Sequence, residues 1–247
     1  MAYRRSRGHV RGTFVRDASF VKKPNLVFFD LDHTLLSGDS DVLWCDFLMA
    51  RGILDRATFA QRNAAMEAQY KAGTVSAEAF AGFYVGTLEG RSAQQWEPLR
   101  REFLTNEIIP RIPIAAMQLV RRHQSAGDLV VMTTATNRFI TELTAQHFGI
   151  EHLLATEAQI SNGVFTGRTE GTLNMREGKV WRLEHWLAAR SHTLEDFHST
   201  AYSDSMNDLA LLEAVDEPVA VDPDPKLAAL ALARAWPVLR LHPVAHE

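Results

Sequence analysis

In the stretch LVFFDLDHTLL, residues 26–36, four apolar residues run without a break into Asp30, and Asp32 and Thr34 follow. An apolar run with no alternation reads as a strand buried on both faces, which calls for helices packed above and below it. Two carboxylates at the end of such a strand are costly unless a cation or a proton compensates them. They mark either a solvated strand end or a metal site.

Strands of the same kind recur along the chain: DLVVMTT (128–134), HLLAT (152–156), STAYSDS (199–205) and PVAVDPDP (218–225). AQISNGVFTGRTEG reads as a hairpin turning at Asn162-Gly163. Between Ser40 and Ala126 the pattern is helical instead, with Gly52, Gly73 and Gly127 at the expected helix C-termini. Helices are also predicted over 137–148, 178–190 and 207–215. Strands alternating with helices predict an α/β fold with a parallel, doubly wound sheet. Ligands of such sheets sit beyond the strand carboxyl ends, near a topological switch point. Asp30, Asp32, Thr134 and Asp204 all fall at predicted strand C-ends.

The length of 247 residues fits one such core carrying an insert. The expected division is a basic, disordered tail over 1–24, a core of 25–38 and 113–242, and a helical insert over 39–112. Seven Arg and Lys precede residue 25 against the single acid Asp17, so the body is more acidic than the net charge of −4 suggests. The tail has no apolar h-region and is not a secretory signal. An acidic body argues against nucleic acid as the ligand. No apolar run approaches the roughly 20 residues that cross a bilayer, so no membrane partner is expected. Cys45 is the only cysteine, which excludes an internal disulfide and a cysteine-based zinc site. It reads as a small buried hydrophobe, and a reducing cytoplasm is the default location.

The residue types at the strand ends suit one chemistry. Asp30, Asp32 and Asp204 could hold a hard cation, and Mg²⁺ suits a few carboxylates completed by waters and a substrate phosphate. Thr134 offers a hydroxyl, and the amides after Asp30 and Thr134 lie where an anion binds at helix N-termini. Lys179 adds a mobile positive charge at the start of a helix. Together they make a site for a phosphate dianion with a carboxylate beside phosphorus.

These motifs resemble the haloacid dehalogenase superfamily of phosphatases. DLDHT matches its DxDxT signature, VVMTTA its second motif, Lys179 its third and SDSMND its fourth, in order over about residues 25–240. The resemblance implies a Rossmann-like core with an inserted helical cap of the C1 type. It implies that Asp30 attacks phosphorus and that Asp32 acts as general acid and base. Thr134 and Lys179 would hold the phosphoryl oxygens. Asp30, Asp32 (through its backbone carbonyl) and Asp204 would ligate Mg²⁺, with Asn207 and Asp208 acting one shell out. Two departures stand out: His33 occupies a position that is often glycine, and Ser203 and Ser205 replace residues of a GDGxND pattern. His33 reads as structural or as a pocket wall. Thr133 competes with Thr134, which is preferred because the small Ala135 follows it. The five tryptophans are expected to pack in helices and core.

The insert resembles that of the phosphoserine-phosphatase-like subfamily IB. Within it SGDSD, TATNRF, YSDSMND and AVDPDP look most like bacterial histidinol-phosphate phosphatases. Asp39 lies nine residues after Asp30, where that subfamily places an acid for a substrate ammonium. Asp41, Asn137 and Arg138 are further candidates for binding substrate. A phosphoserine carboxylate would want a bidentate arginine, for which Arg62 or Arg138 could serve. Lys71, the insert's only lysine, lies in no motif. The expectation is a Mg²⁺-dependent phosphomonoesterase working through an aspartyl-phosphate on a small phosphorylated metabolite. L-Histidinol phosphate fits best, with phosphoserine or another small phosphomonoester as alternatives. The enzyme is expected as a monomer or homodimer.

Overall fold

The computed structural model describes residues 22–242. The predicted basic tail therefore lies outside the described residues, apart from Lys22 to Pro24. Seven strands form one sheet: β1 (Asn25–Phe29), β2 (Leu129–Asn137), β3 (His152–Ser161), β4 (Val164–Glu170), β5 (His198–Ser203), β6 (Glu217–Val221) and β7 (Val238–Leu239). Their order is β4-β3-β2-β1-β5-β6-β7. Every pairing is parallel except the β3–β4 hairpin. β1 is central and buried on both faces, as its unbroken apolar run predicts. Leu26 and Phe28 pack with Val131, Leu183 and Leu212 on one side. Val27 and Phe29 pack with Met132, Leu119 and Val120 on the other. Burial of each such side chain stabilises by about 1.5–3 kcal/mol, so this strand anchors both layers.

From β1 the chain builds outward through β2 and β3, then returns to β5 on the other side of β1 and continues to β6 and β7. The connections after β1 and β5 thus diverge, opening a crevice at their C-ends. Above it lies the helical segment inserted after β1: α1 (Ser40–Ala50), α2 (Arg56–Ala72), α3 (Ala77–Val85) and α4 (Ala93–Phe103). Side chains of Asp39, Asp55, Ser76 and Ser92 cap these helices in turn. α2 stops at Gly73, whose φ of 71° is the left-handed conformation of a helix C-terminus. Trp44 joins Trp96 and Phe103 with ring centroids at 5.6 and 5.1 Å, knitting α1 to α4. Val75, Phe80 and Tyr84 pack on Met175 of the core, and Arg176 donates to the Val75 carbonyl at 3.1 Å. These contacts hold the C-terminal end of α2 over the strand ends.

The remaining helices flank the sheet: α5 (Ile114–Ala126), α6 (Arg138–His147), α7 (Glu177–Ala188), α8 (Leu209–Ala214) and α9 (Pro225–Ala233). Several local expectations need correction. The helical pattern read between Ser40 and Ala126 does not stay α-helical after α4, which gives way to a π turn at Leu104–Ile108 and a 3-10 turn at Ile109–Arg111. α9 and β7 were not foreseen. Pro225 starts α9 where its missing N–H costs nothing, with Asp224 as the cap. Trp181 is not packed in the core. It is 45% exposed and stacks on His185 one helical turn away.

Candidate active site

The crevice at the ends of β1 and β5 gathers a buried network of charge. Lys179, in the first turn of α7, places Nζ 2.7 Å from Asp30 Oδ1 and 2.6 Å from Asp208 Oδ2. Ser203 donates to the same Asp208 oxygen at 2.8 Å. The Thr34 hydroxyl lies 3.1 Å from Asp30 Oδ2 and 3.2 Å from Asp204 Oδ1, and it accepts from the Asp204 N–H. One threonine thus joins the carboxylates at the ends of two adjacent strands. Burial pushes the Asp30 carboxyl up to about 7; Lys179 opposes this, while Asp208 and Asp32 add to it. Burial likewise pushes Asp204 well above the usual carboxylate range, with Asp30 and Asp208 contributing. Burial alone would lower Lys179, yet the Asp208 and Asp30 carboxylates hold it above its ordinary value.

Asp32 faces the other way. Its Oδ1 accepts from the Ser40 N–H at 2.7 Å, and its Oδ2 lies 3.2 Å from Thr134 Oγ1 and 3.1 Å from Thr136 Oγ1. The two threonines at the end of β2 are thereby separated. Thr134 turns to Asp32, whereas Thr133 accepts from Asn174, which also donates to the carbonyls of Thr134 and Leu154. Thr34, Thr136 and Asn174 escaped sequence reasoning as individual site residues. Thr34 stood inside the DLDHT motif and Thr136 inside TATNRF, but nothing in the sequence marks Asn174.

A cavity of about 420 Å³ opens above Asp30, walled by Asp32, His33, Asp39, Tyr70, Lys71, Asp204, Asn207 and Asp208, with Asp222, Asp224 and Lys226 also on its lining. Tyr70 and Lys71 come from α2, and neither lay in a recognisable motif. Asp39 both borders the cavity and caps α1, its Oδ1 accepting from the amides of Asp41 and Val42 at 3.0 and 3.1 Å. Burial pushes its carboxyl up to about 8, helped by Asp32. Three expected substrate contacts are elsewhere. Asp41 is buried behind the cavity, where its Oδ2 accepts from Thr136 at 3.0 Å. Asn137 caps α6 through the Ile140 amide at 3.2 Å. Arg138 is paired with Glu157 and donates to the Leu153 carbonyl. Each belongs to local structure because a polar residue at a strand end serves a helix cap or an edge ion pair as readily as a ligand. Arg62 lies over the rings of Phe59 and Phe83 on a different groove.

The loop carrying Asp32 is braced from the far end of the described chain. His242 Nε2 donates to the carbonyls of His33 and Thr34 at 2.8 and 3.1 Å, and the Ser37 hydroxyl meets its Nδ1. Asp222 fixes this segment by accepting from the amides of Leu241 and His242.

The donor set suits Mg²⁺. Asp30 is buried and Asp204 half-buried, their carboxylates are joined through the Thr34 hydroxyl, and burial raises both carboxyls. Among the described residues no three His, Cys, Asp or Glu side chains converge on one point. An ion here would take carboxylates from Asp30 and Asp204 and complete its shell with a backbone carbonyl, water and phosphate. Mg²⁺ tolerates such a sparse protein contribution better than Ca²⁺ does.

The sequence profile of the haloacid dehalogenase-like hydrolases matches residues 27–213. The chain is 40% identical to a histidinol-phosphatase of Neisseria meningitidis over 217 residues, 87% of this chain and 98% of that one. It is 31% identical to a phosphoserine phosphatase of Mycobacterium tuberculosis over 85% of this chain and 69% of that one. A Bordetella pertussis protein whose structure is described as of unknown function superposes with a TM-score of 0.85 at 43% identity, covering 90% of this chain and all of that one. A substrate-bound phosphoserine phosphatase superposes with a TM-score of 0.64 at 17% identity over 88% of this chain and 93% of its own, a likeness of fold alone.

Proposed function

The chain belongs to the haloacid dehalogenase-like hydrolases, and from that premise we propose that it is a Mg²⁺-dependent phosphomonoesterase whose substrate carries a cationic leaving group, L-histidinol phosphate being the best fit. Asp30 attacks phosphorus, forming the aspartyl–phosphorus bond as the bond to the leaving oxygen breaks. Asp32 gives its proton to that oxygen. It then takes a proton from the water that attacks phosphorus, which frees inorganic phosphate and restores Asp30. Ser40, Thr134 and Thr136 hold the Asp32 carboxyl in place for both transfers. Lys179 orients Asp30 and offsets charge on the phosphoryl oxygens, with Asp208 and Ser203 keeping its ammonium in position. Bound Mg²⁺ would supply charge neutralisation at the phosphoryl group.

The observation that supports the substrate reading is the cavity lining, which among the described residues is rich in carboxylates and holds Lys71 and Lys226 but no arginine. A substrate carboxylate, as in phosphoserine, would find no bidentate partner there, while an ammonium meets Asp39. The test is phosphate release from a panel containing histidinol phosphate, phosphoserine and p-nitrophenyl phosphate. Histidinol phosphate is expected to give the highest kcat/KM, and Asp30→Asn to abolish turnover of every ester without unfolding the protein. A preference for phosphoserine would overturn the substrate assignment. A tenth of the wild-type rate in Asp30→Asn would overturn the covalent mechanism.

A further inference from the structure

We propose that Arg176 is a positioning residue that ties the insert's wall of the cavity to the turn presenting Lys179, and so sets how closely that wall meets the leaving group; this rests on the reading of the site as a phosphomonoesterase. Arg176 stands between β4 and α7 with φ 51° and ψ −127°. The Gly178 N–H donates to the Met175 carbonyl at 2.8 Å, which makes 175–178 a type II′ turn with Arg176 at its first central position. That position is ordinarily glycine's, because a Cβ is crowded at such a positive φ. An arginine is held there at a cost. Residues kept in sparsely populated conformations cluster where the strain has a use.

The contacts of Arg176 supply that use. Its half-buried side chain crosses from core to insert, where the guanidinium donates to the Val75 carbonyl at 3.1 Å. Val75 lies just past the C-terminus of α2, the helix that brings Tyr70 and Lys71 to the cavity. The Arg176 carbonyl accepts from the Lys179 N–H at 3.0 Å, in the turn from which Lys179 reaches Asp30 and Asp208. One residue is therefore bonded both to the end of the cavity wall and to the amide of the reacting lysine. Met175 beside it is buried in one cluster with Val75, Phe80 and Tyr84. Next to this join a crevice of about 530 Å³ opens between Ser76 and Glu78 on the insert and Thr172 and Glu177 on the core. The insert is thus held here at a narrow point rather than along a continuous face, and the arginine spans it.

The test compares wild type with Arg176→Met, which keeps the Cβ and an apolar stem but no donor, and with Arg176→Gly, which also frees the turn. Both variants should raise KM for p-nitrophenyl phosphate at least fivefold. Their kcat and their inhibition constant for inorganic phosphate should stay within twofold of wild type, since phosphate has no leaving group for the α2 wall to meet. The Gly73 and Thr74 amides close the end of α2 by donating to the Tyr70 and Gln69 carbonyls, and their hydrogen exchange should be at least fivefold faster in both variants. Arg176→Gly should melt above Arg176→Met, which alone retains the crowded Cβ. An unchanged KM, a parallel rise in KM and the phosphate constant, or a loss confined to kcat would overturn the assignment, as would the reverse order of melting. Should wild type hydrolyse no phosphomonoester, the phosphomonoesterase reading fails by itself. The exchange rates of Gly73 and Thr74 then decide, and equal rates in wild type and variants overturn the join.

Discussion

A Cβ placed on Gly178 would stand 2.1 Å from the carbonyl oxygen of Leu173 and 3.3 Å from its carbon. Only glycine lets the chain pass so close to its own backbone and still present Lys179 in the next position. Gly178→Ala should therefore push the first turn of α7 away and take Nζ from Asp30 and Asp208. A destabilisation of about 1–3 kcal/mol is expected from the overpacking, with a larger proportional loss of kcat than of folded protein. Urea melts and p-nitrophenyl phosphate turnover check this, and an alanine variant with wild-type kcat would contradict it. Asp30, Asp32 and Asp204 were legible in the sequence because charge at the end of an apolar strand has few structural uses, and Lys179, at a helix start, through the motif it resembles. Gly178 was not, since its constraint comes from a carbonyl whose position only the folded loop defines.

At the scale of one element, α1 begins with two buried acids that do different things. Asp39 caps the helix and reaches the cavity, while Asp41 sits behind it with Oδ1 buried and unpartnered among the described residues. Burial pushes the Asp41 carboxyl well above the usual range, with Asp39 and Asp32 adding to it. An acid raised in the folded state costs nothing below its unfolded pKa of about 3.9 and progressively more as pH climbs toward its folded value. Asp41→Asn should thus be near neutral at pH 4 and stabilise by about 1–3 kcal/mol near pH 8. Denaturant melts at the two pH values test this, and a gain that is larger at pH 4 would reverse the sign and refute it. The sequence did not separate the roles of Asp39, Asp41, Asn137 and Arg138. Caps, edge ion pairs and ligand contacts draw on the same polar residues at element ends, and only packing decides which job each one has. The strands and the insert's helices were readable because hydrophobic period is a property of neighbours in sequence. α9 was missed because its prolines signal a stop as strongly as they signal a helix start.

For the whole molecule, the sheet carries the reacting charges and the insert supplies the cavity wall from α2. Cation binding should consequently stabilise the fold as well as enable turnover. Mg²⁺ at 100 times its dissociation constant should add about 2.7 kcal/mol, and EDTA should remove both this gain and activity. Asp204→Asn should fold yet lose the Mg²⁺-dependent rise in melting temperature. An equal rise in that variant would count against Asp204 as a ligand.

The His242 contacts join the two ends of the described sequence at one loop. Because the carbonyls of His33 and Thr34 share the imidazole of His242, and Asp222 ties down the amides beside it, the segment after β7 and the turn after Asp32 form a single cooperative unit. Fraying at one is loosening at the other, so their amides should exchange with solvent together, through one opening event. The turn after Asp32 is thus braced by a residue more than two hundred positions downstream.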